Sequence, residues 1–223
     1  MKKLKERLIH VKYDTVIWDF NGTLVDDAGL GIDAANKMLR ARGLSEISGI
    51  DEYKERFFFP VKEYYASLGF DFEREPYNDL AREWFDMYLA GESSLKPMSE
   101  AAEALVMIRD AGLRQIVLSA SESSLLISQI DRFGFSDYFD DIIGKDNFLA
   151  DGKAAAAKKR LGNKNHNCAM IGDTTHDHDT AIAIGASPYL FSGGHESAKR
   201  LSLTGVPVCD SLTEICRMIL SEK

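Results

Sequence analysis

The sequence contains little cysteine and little proline, and it has no long apolar run. Three cysteines and five prolines among 223 residues exclude a disulfide scaffold and a proline-rich linker. Cys168, Cys209 and Cys216 are scattered without CxxC spacing, so we interpret them as reduced core residues. The longest apolar runs are far too short to cross a bilayer, and we therefore expect no membrane-spanning segment.

Basic residues are outnumbered by acidic ones. The chain has 27 Lys and Arg against 35 Asp and Glu, a net charge of −8, and no dense basic cluster, so we expect no nucleic-acid partner. Residues 1–7, MKKLKER, lack the apolar stretch of a secretion signal, which predicts a cytoplasmic location. A content of 45% hydrophobic and 28% charged residues is enough for one globular domain, or for one domain with an insertion.

A buried strand that ends on a carboxylate is the most informative feature of the chain. The apolar run 16–18 leads directly into Asp19, and Gly22 and Thr23 then turn the chain. This places Asp19 at the carboxyl end of a parallel strand, where open α/β sheets carry their chemistry. An aspartate there can act as a nucleophile. The alternative is that Asp19 only caps a turn.

The pattern occurs again near the other end of the chain, where the apolar run 168–171 is followed by Gly172, Asp173 and, four residues on, Asp177. Two strands that end in acids indicate a site for a hard cation. Mg²⁺ prefers carboxylate oxygens and sites that also receive a phosphate, and Asp19, Asp173 and Asp177 could supply such a shell.

A phosphate-binding element is predicted between these two strands. The segment 115–121 reads as a strand that ends in hydroxyls ahead of a helix, where Ser119 and free backbone N–H groups could hold an anion. Lys153 opens a later helix and would add positive charge.

The order of elements predicts a doubly wound α/β core with an insertion. From residue 97 onward helices and strands alternate, which is typical of a parallel sheet covered on both faces. Residues 28–95 instead read as helices with no strand. We predict a core of residues 1–27 and 96–223 and an all-helical cap of residues 28–95, which closes as a lid over the strand ends.

With these motifs in order, the chain resembles the haloacid dehalogenase-like superfamily, a group of hydrolases with a Rossmann-like core, and within it the phosphoglycolate phosphatase-like members with a helical cap. The resemblance implies that Asp19 is the nucleophile and that Asp173 and Asp177 bind Mg²⁺. It also implies a set of phosphate contacts: Gly22, Thr23, Ser119, Ala120 and Lys153.

Asn21 departs from the family pattern at a catalytic position. Phosphatases of the family have an aspartate there that serves as general acid and base, and an amide cannot exchange protons near neutral pH. The resemblance implies that this residue gives Mg²⁺ its backbone carbonyl, which Asn21 retains. Loss of a general acid typically costs about 10²- to 10⁴-fold in rate.

We therefore predict an Mg²⁺-dependent phosphatase that acts on a small phosphorylated metabolite such as phosphoglycolate through an aspartyl phosphate, as a monomer or small homo-oligomer. Two alternatives stay open: a phosphotransferase with a long-lived phospho-Asp19, and a phosphate-binding regulatory protein with little turnover. Haloacid dehalogenation needs no metal, and the presence of both Asp173 and Asp177 argues against it.

Several further side chains have a functional and a structural interpretation. The structural interpretation is favoured for each. Asp26 and Asp27 are expected to shape a turn, and His176 and His178 to lie outside the metal shell. His195 could substitute for the missing acid, but we favour a non-catalytic position in a glycine-rich loop. Three cap cations could reach an anionic substrate, although a solvated face is favoured: Lys54, Arg56 and Lys62.

Overall fold

A computed structural model describes residues 12–145, 153–162 and 167–222; the predicted absence of a secretion signal in residues 1–7 lies outside these ranges. A six-stranded parallel sheet with the order β5-β4-β1-β6-β7-β8 forms the centre of the molecule. Its strands are β1 (Thr15–Trp18), β4 (Arg114–Glu122), β5 (Asp141–Lys145), β6 (Cys168–Gly172), β7 (Ser187–Phe191) and β8 (Val208–Cys209).

Helices cover both faces of this sheet, as the alternating pattern predicts. Val16 and Trp18 point to one face and Ile17 to the other, and all three are fully buried in two separate apolar clusters. This two-sided burial explains why β1 is apolar without interruption. The helices are α5 (Ala101–Asp110), α6 (Ser123–Arg132), α7 (Lys153–Leu161), α8 (Thr175–Ile184), α9 (Ala198–Ser202) and α10 (Leu212–Ser221).

A block of four helices lies between two very short strands that pair antiparallel with each other. The strands β2 (Val25–Asp26) and β3 (Lys96–Pro97) place the two ends of the block side by side, a pairing that the sequence pattern did not predict. The block has an aromatic-rich apolar cluster distinct from those of the sheet. Its helices are α1 (Ala28–Ala41), α2 (Ile50–Arg56), α3 (Val61–Ser67) and α4 (Tyr77–Gly91).

The cysteines and the apolar segments agree largely with expectation. Cys168 and Cys216 are buried with free thiols, whereas Cys209 at the edge strand β8 is only partly buried. None of the helices in the described ranges combines the length and the apolar character that crossing a bilayer requires.

Candidate active site

The order of the strands brings the predicted acids together. The chain leaves β1 for β4 and β5 on one side and then returns to β6 on the other, and ligands bind at the carboxyl ends of strands where such a reversal occurs. Asp19 follows β1 and Asp173 follows β6, and the Asp19 amide donates to the Ile171 carbonyl at 2.8 Å. One carboxylate oxygen from each of Asp19, Asp173 and Asp177 lies within 4.8 Å of the others.

Lys153 provides the positive charge at this cluster. Its buried Nζ donates to Asp19 Oδ1 and, at 2.5 Å, to Asp177 Oδ1. Burial opposes the charge, but the two carboxylates more than offset it and raise the pKa of Lys153 above its usual value. Lys153 therefore remains an ammonium group directly against the Asp19 carboxylate.

Asp177 is held by the start of α8. Its Oδ2 accepts from the Asp173 and Thr174 amides at 3.2 and 3.1 Å and from Thr174 Oγ1 at 2.7 Å. Thr174 and Asp177 form a reciprocal capping box. Although burial opposes its charge, Lys153 and these donors lower the pKa of Asp177.

Asp173 is fixed by two loops. Its Oδ1 accepts from Thr23 Oγ1 at 2.9 Å, and its Oδ2 accepts from the His195 amide at 2.7 Å. Gly22 has a φ of +77°, and a Cβ there would collide with the Asp173 carboxylate, so glycine is required on both grounds. Gly22 and Thr23 thus position Asp173. Neither of them is among the described residues that line the cavity, and their contact with a phosphate stays a prediction.

The donor set fits a divalent cation. Three buried carboxylates face a single lysine, and burial, with mutual repulsion, raises the pKa of Asp19 and of Asp173. A hard cation among these oxygens would relieve that cost. The Asn21 backbone carbonyl, which the resemblance implies as a further ligand, remains a prediction.

The side-chain amide of Asn21 is fully engaged by the protein. Its Nδ2 donates to Asp27 Oδ2 at 2.8 Å and to the Tyr88 hydroxyl at 3.2 Å. Its Oδ1 accepts from Ser121 Oγ at 2.8 Å and from Ser119 Oγ at 3.4 Å. An amide held in this way has no proton to give to a departing oxygen.

A buried ion pair that sequence reasoning did not identify lies beside Asn21. The Nε2 of His195 is 3.2 Å from Asp27 Oδ1, and its Nδ1 is 2.8 Å from the Tyr53 hydroxyl. Burial disfavours the imidazolium, but Asp27 raises the pKa of His195 to about 9. Asp27 also accepts from the Gly22 amide at 2.9 Å, so the predicted turn function of Asp27 is real but incomplete.

The predicted phosphate-binding element differs from expectation in one respect, which is the state of the backbone N–H groups at the start of α6. Ser119, Ala120 and Lys153 line the same cavity as Asp19, and their contact with a phosphate stays a prediction. However, the first backbone N–H groups of α6 are not free, because the Glu122 carboxylate accepts from the amides of Ser124 and Leu125 at 3.0 and 3.1 Å. An anion at this position depends on side chains and on other amides.

The site opens into a cavity of about 330 Å³ between the strand ends and the four-helix block. Its two walls differ in character. The wall from the sheet carries the acids, Lys153 and the serines, whereas the wall from the helical block is uncharged and predominantly aromatic. His176 stacks on Phe59 with ring centroids 4.6 Å apart, and His178 pairs with Asp179.

The α/β fold thus brings a carboxylate at the end of its first strand together with a lysine and with two further acids that follow a neighbouring strand. The chain belongs to the haloacid dehalogenase-like hydrolase family, whose model matches residues 16–189.

The chain is similar to two phosphoglycolate phosphatases. It is 28% identical to the protein from Caulobacter vibrioides, over 81% of this chain and 80% of the relative. It is 26% identical to that from Mesorhizobium japonicum, over 76% and 78%. A solved haloacid dehalogenase-like hydrolase from Streptococcus pneumoniae shares the fold with a TM-score of 0.77 and 17% identity, over 93% of this chain and 98% of that one.

Proposed function

We propose that this chain is an Mg²⁺-dependent phosphatase that hydrolyses a small phosphomonoester through a phosphoaspartyl intermediate on Asp19. One observation carries the proposal: the Asp19 carboxylate lies at the floor of the cavity, against Lys153 and within 4.8 Å of the Asp173 and Asp177 oxygens. The names of the two relatives make phosphoglycolate the reference substrate.

Each chemical step follows from groups at the cavity floor. A carboxylate oxygen of Asp19 attacks phosphorus, the bond from phosphorus to the ester oxygen breaks, and the ester oxygen leaves with the electron pair. Water then attacks the phosphorus of phospho-Asp19, the bond to the carboxylate breaks, and inorganic phosphate leaves; the proton that water loses to solvent balances the one that the departed ester oxygen takes from solvent. Ser119 and Lys153 bind the phosphoryl oxygens and stabilise their charge.

The acids Asp19, Asp173 and Asp177 would hold the metal ion. When bound, Mg²⁺ supplies positive charge that offsets the charge of the phosphate and of the carboxylates. Asn21 supplies no proton, because its amide is held by Asp27, Tyr88 and the serines.

The helical block 28–95 is proposed to act as a cap. Its two ends meet at the β2–β3 pair, and it has its own apolar cluster, which supports movement as a unit. A closed cap would exclude water from the strand ends until the ester has reacted.

The proposal is tested by a screen of phosphorylated metabolites with the purified chain and Mg²⁺. Steady phosphate release that is lost in Asp19→Ala and kept in Asp26→Ala, an exposed acid in the short strand β2, is the expected result. A single stoichiometric burst would indicate the phosphotransferase, and binding of phosphate compounds with neither would indicate a regulatory protein.

A further inference from the structure

The cap wall of the cavity carries no charge among the described residues that line it. Nine of these side chains are aromatic, and the rest are small or aliphatic. Tyr53, Phe57 and Tyr64 pack edge to face or tilted against each other, with ring centroids 5.0 to 6.2 Å apart, while Trp84 stacks on Tyr88 at 5.1 Å. Such a wall favours an apolar, planar group.

The cap cations that could have met an anionic substrate are engaged elsewhere. Lys54 Nζ donates to the carbonyls of Ser192 and Gly193 at 3.1 and 2.9 Å. Arg56 pairs with Glu52 at 2.9 Å, and Lys62 Nζ lies 5.6 Å from the centroid of the Phe72 ring. None of these three cations lines the cavity in the part of the chain that the structure describes.

The cations on the floor are committed as well. Lys153 contacts Asp19 and Asp177, where the phosphate would bind, and the His195 ring pairs with Asp27. A second anionic group on the substrate, such as the carboxylate of phosphoglycolate, would lose its hydration against aromatic rings, and the described cavity lining offers it no lysine or arginine besides Lys153.

Asn21 favours the same kind of substrate by an independent route. Without a general acid, the ester oxygen must leave as an anion, and this is easier for a phenolate than for an alkoxide. The cavity of about 330 Å³ is at the small end of ligand pockets, which run from roughly 300 to 1,000 Å³, and it therefore suits a single ring.

We propose that the organic part of the substrate is a single neutral aromatic group, so that the natural ester is a monocyclic aryl phosphate with no second anionic group. This proposal rests on the proposed phosphatase function. It names the substrate class of the same site and separates this chain from its phosphoglycolate phosphatase relatives.

The test separates the contribution of the ring from that of the leaving group. Benzyl phosphate, ethyl phosphate and 2-phosphoglycolate are all alkyl esters with similar leaving groups, so their kcat/KM values with the full chain and Mg²⁺ compare mainly the cavity wall. We expect benzyl phosphate to exceed ethyl phosphate by about 10- to 100-fold, the factor for burying a ring, and 2-phosphoglycolate to be the poorest. Phenyl phosphate should exceed benzyl phosphate because of its better leaving group.

Binding of non-hydrolysable analogues gives a readout that needs no turnover. Titration calorimetry should show tighter binding for 2-phenylethylphosphonate than for 3-phosphonopropionate. A 2-phosphoglycolate kcat/KM equal to or above that of benzyl phosphate, or tighter binding of 3-phosphonopropionate, would overturn the aryl proposal while leaving the phosphatase in place. Failure of every ester to react would overturn the phosphatase and the aryl ester together.

A variant that adds a cation to the wall sharpens the test. Ala81 lines the cavity from α4, and Ala81→Lys should reduce kcat/KM for benzyl phosphate and raise it for 2-phosphoglycolate, each by about tenfold. Ala90→Lys places the same charge at an exposed position of the same helix and should change neither. If Ala81→Lys does not fold, Phe85→Leu is the alternative variant, because it removes an aromatic ring from the wall. It should lower kcat/KM for benzyl phosphate alone. An equal loss for ethyl phosphate would contradict the proposal.

Discussion

The two walls of the cavity obey different physical rules. The sheet wall gathers buried charges that are held in place by short hydrogen bonds, as at Asp173 and Lys153, whereas the cap wall offers rings packed against rings. Charges at strand ends require a fixed scaffold, since a small displacement changes their interaction energy strongly. Rings on a helical block discriminate by shape and desolvation. Under the proposed function, the sheet determines the reaction and the cap determines which ester reacts.

Among changes to the sheet wall, removal of an acid from the proposed metal site should have the largest effect. Asp173→Ala deletes a carboxylate that Thr23 and His195 hold in the cluster, and turnover should fall about 10³-fold or more, since the charge of a bound ion contributes several kcal/mol. Steady-state phosphate release over a range of Mg²⁺ concentrations measures the loss. Asp179→Ala, an exposed acid on α8, serves as control. If Asp173→Ala keeps normal turnover and Mg²⁺ dependence, the metal site is elsewhere.

Restoring a proton donor should have the next largest effect. Asn21→Asp places a carboxyl beside Asp27, at a position where the present contact is 2.8 Å, and the neighbouring charge would raise the pKa of the new group toward that of a useful acid. Turnover of alkyl phosphates should rise about 10²-fold, and the first step with aryl phosphates should gain less. Asn78→Asp, at an exposed position, should do nothing. Unchanged alkyl turnover would mean that another group already transfers the proton.

Removal of the cap should abolish discrimination by the second wall. The ends of the block meet at the β2–β3 pair, so a short turn can replace residues 28–95. The remaining core should fold, and the preference between benzyl and ethyl phosphate should fall about tenfold or more as the aromatic wall is lost. Circular dichroism checks the fold and kcat/KM ratios check selectivity. A folded core with unchanged selectivity would show that the cap does not choose the substrate.

A buried acid beside the start of α8, outside the cavity lining, should give the smallest effect. Glu196 accepts from the Thr175 amide at 2.8 Å, yet burial raises the pKa of its carboxyl to about 7. The unfolded chain releases this proton near pH 4.5 and the folded chain near 7, so the free energy of unfolding should fall as the pH rises through that window.

Glu196→Gln removes this titration and should raise the free energy of unfolding at pH 8 by roughly 1–3 kcal/mol relative to the parent, with a smaller difference at pH 4. Urea unfolding at the two pH values measures both. The exposed Glu103→Gln should show no such pH dependence. A Glu196→Gln benefit that is equal at pH 4 and pH 8 would show that the carboxyl does not titrate in this range.

The sheet and its acids could be predicted because each strand that bears them is short, apolar and followed directly by a turn. Asp19 and Asp173 are readable from such local patterns, and parallel strands bring their ends together. Strand limits were close: β4 runs from Arg114 to Glu122, one residue beyond the predicted segment 115–121 at each end. The pair β2–β3 has only two residues on each side, too few to show any alternation.

The surroundings of Asn21 could not be predicted, because they depend on packing between distant segments. His195 reaches Asp27 from the β7–α9 loop, and Tyr88 reaches it from the end of α4. No local pattern links these residues. A glycine-rich loop that follows a strand and carries one histidine was the available signal, and it indicates proximity to the strand ends without identifying the partner.

Transfer of the phosphoryl group to Asp19 is tested most directly by acid-quenching the enzyme during turnover of phenyl phosphate with Mg²⁺ and locating the modification by peptide mass spectrometry. We predict one phosphoryl group per chain on the peptide that contains Asp19, because Asn21 cannot act as the base for its hydrolysis, and less of it in Asn21→Asp. Steady phosphate release with no phosphorylated peptide, or with the group on another residue, would contradict the assignment of Asp19 as nucleophile.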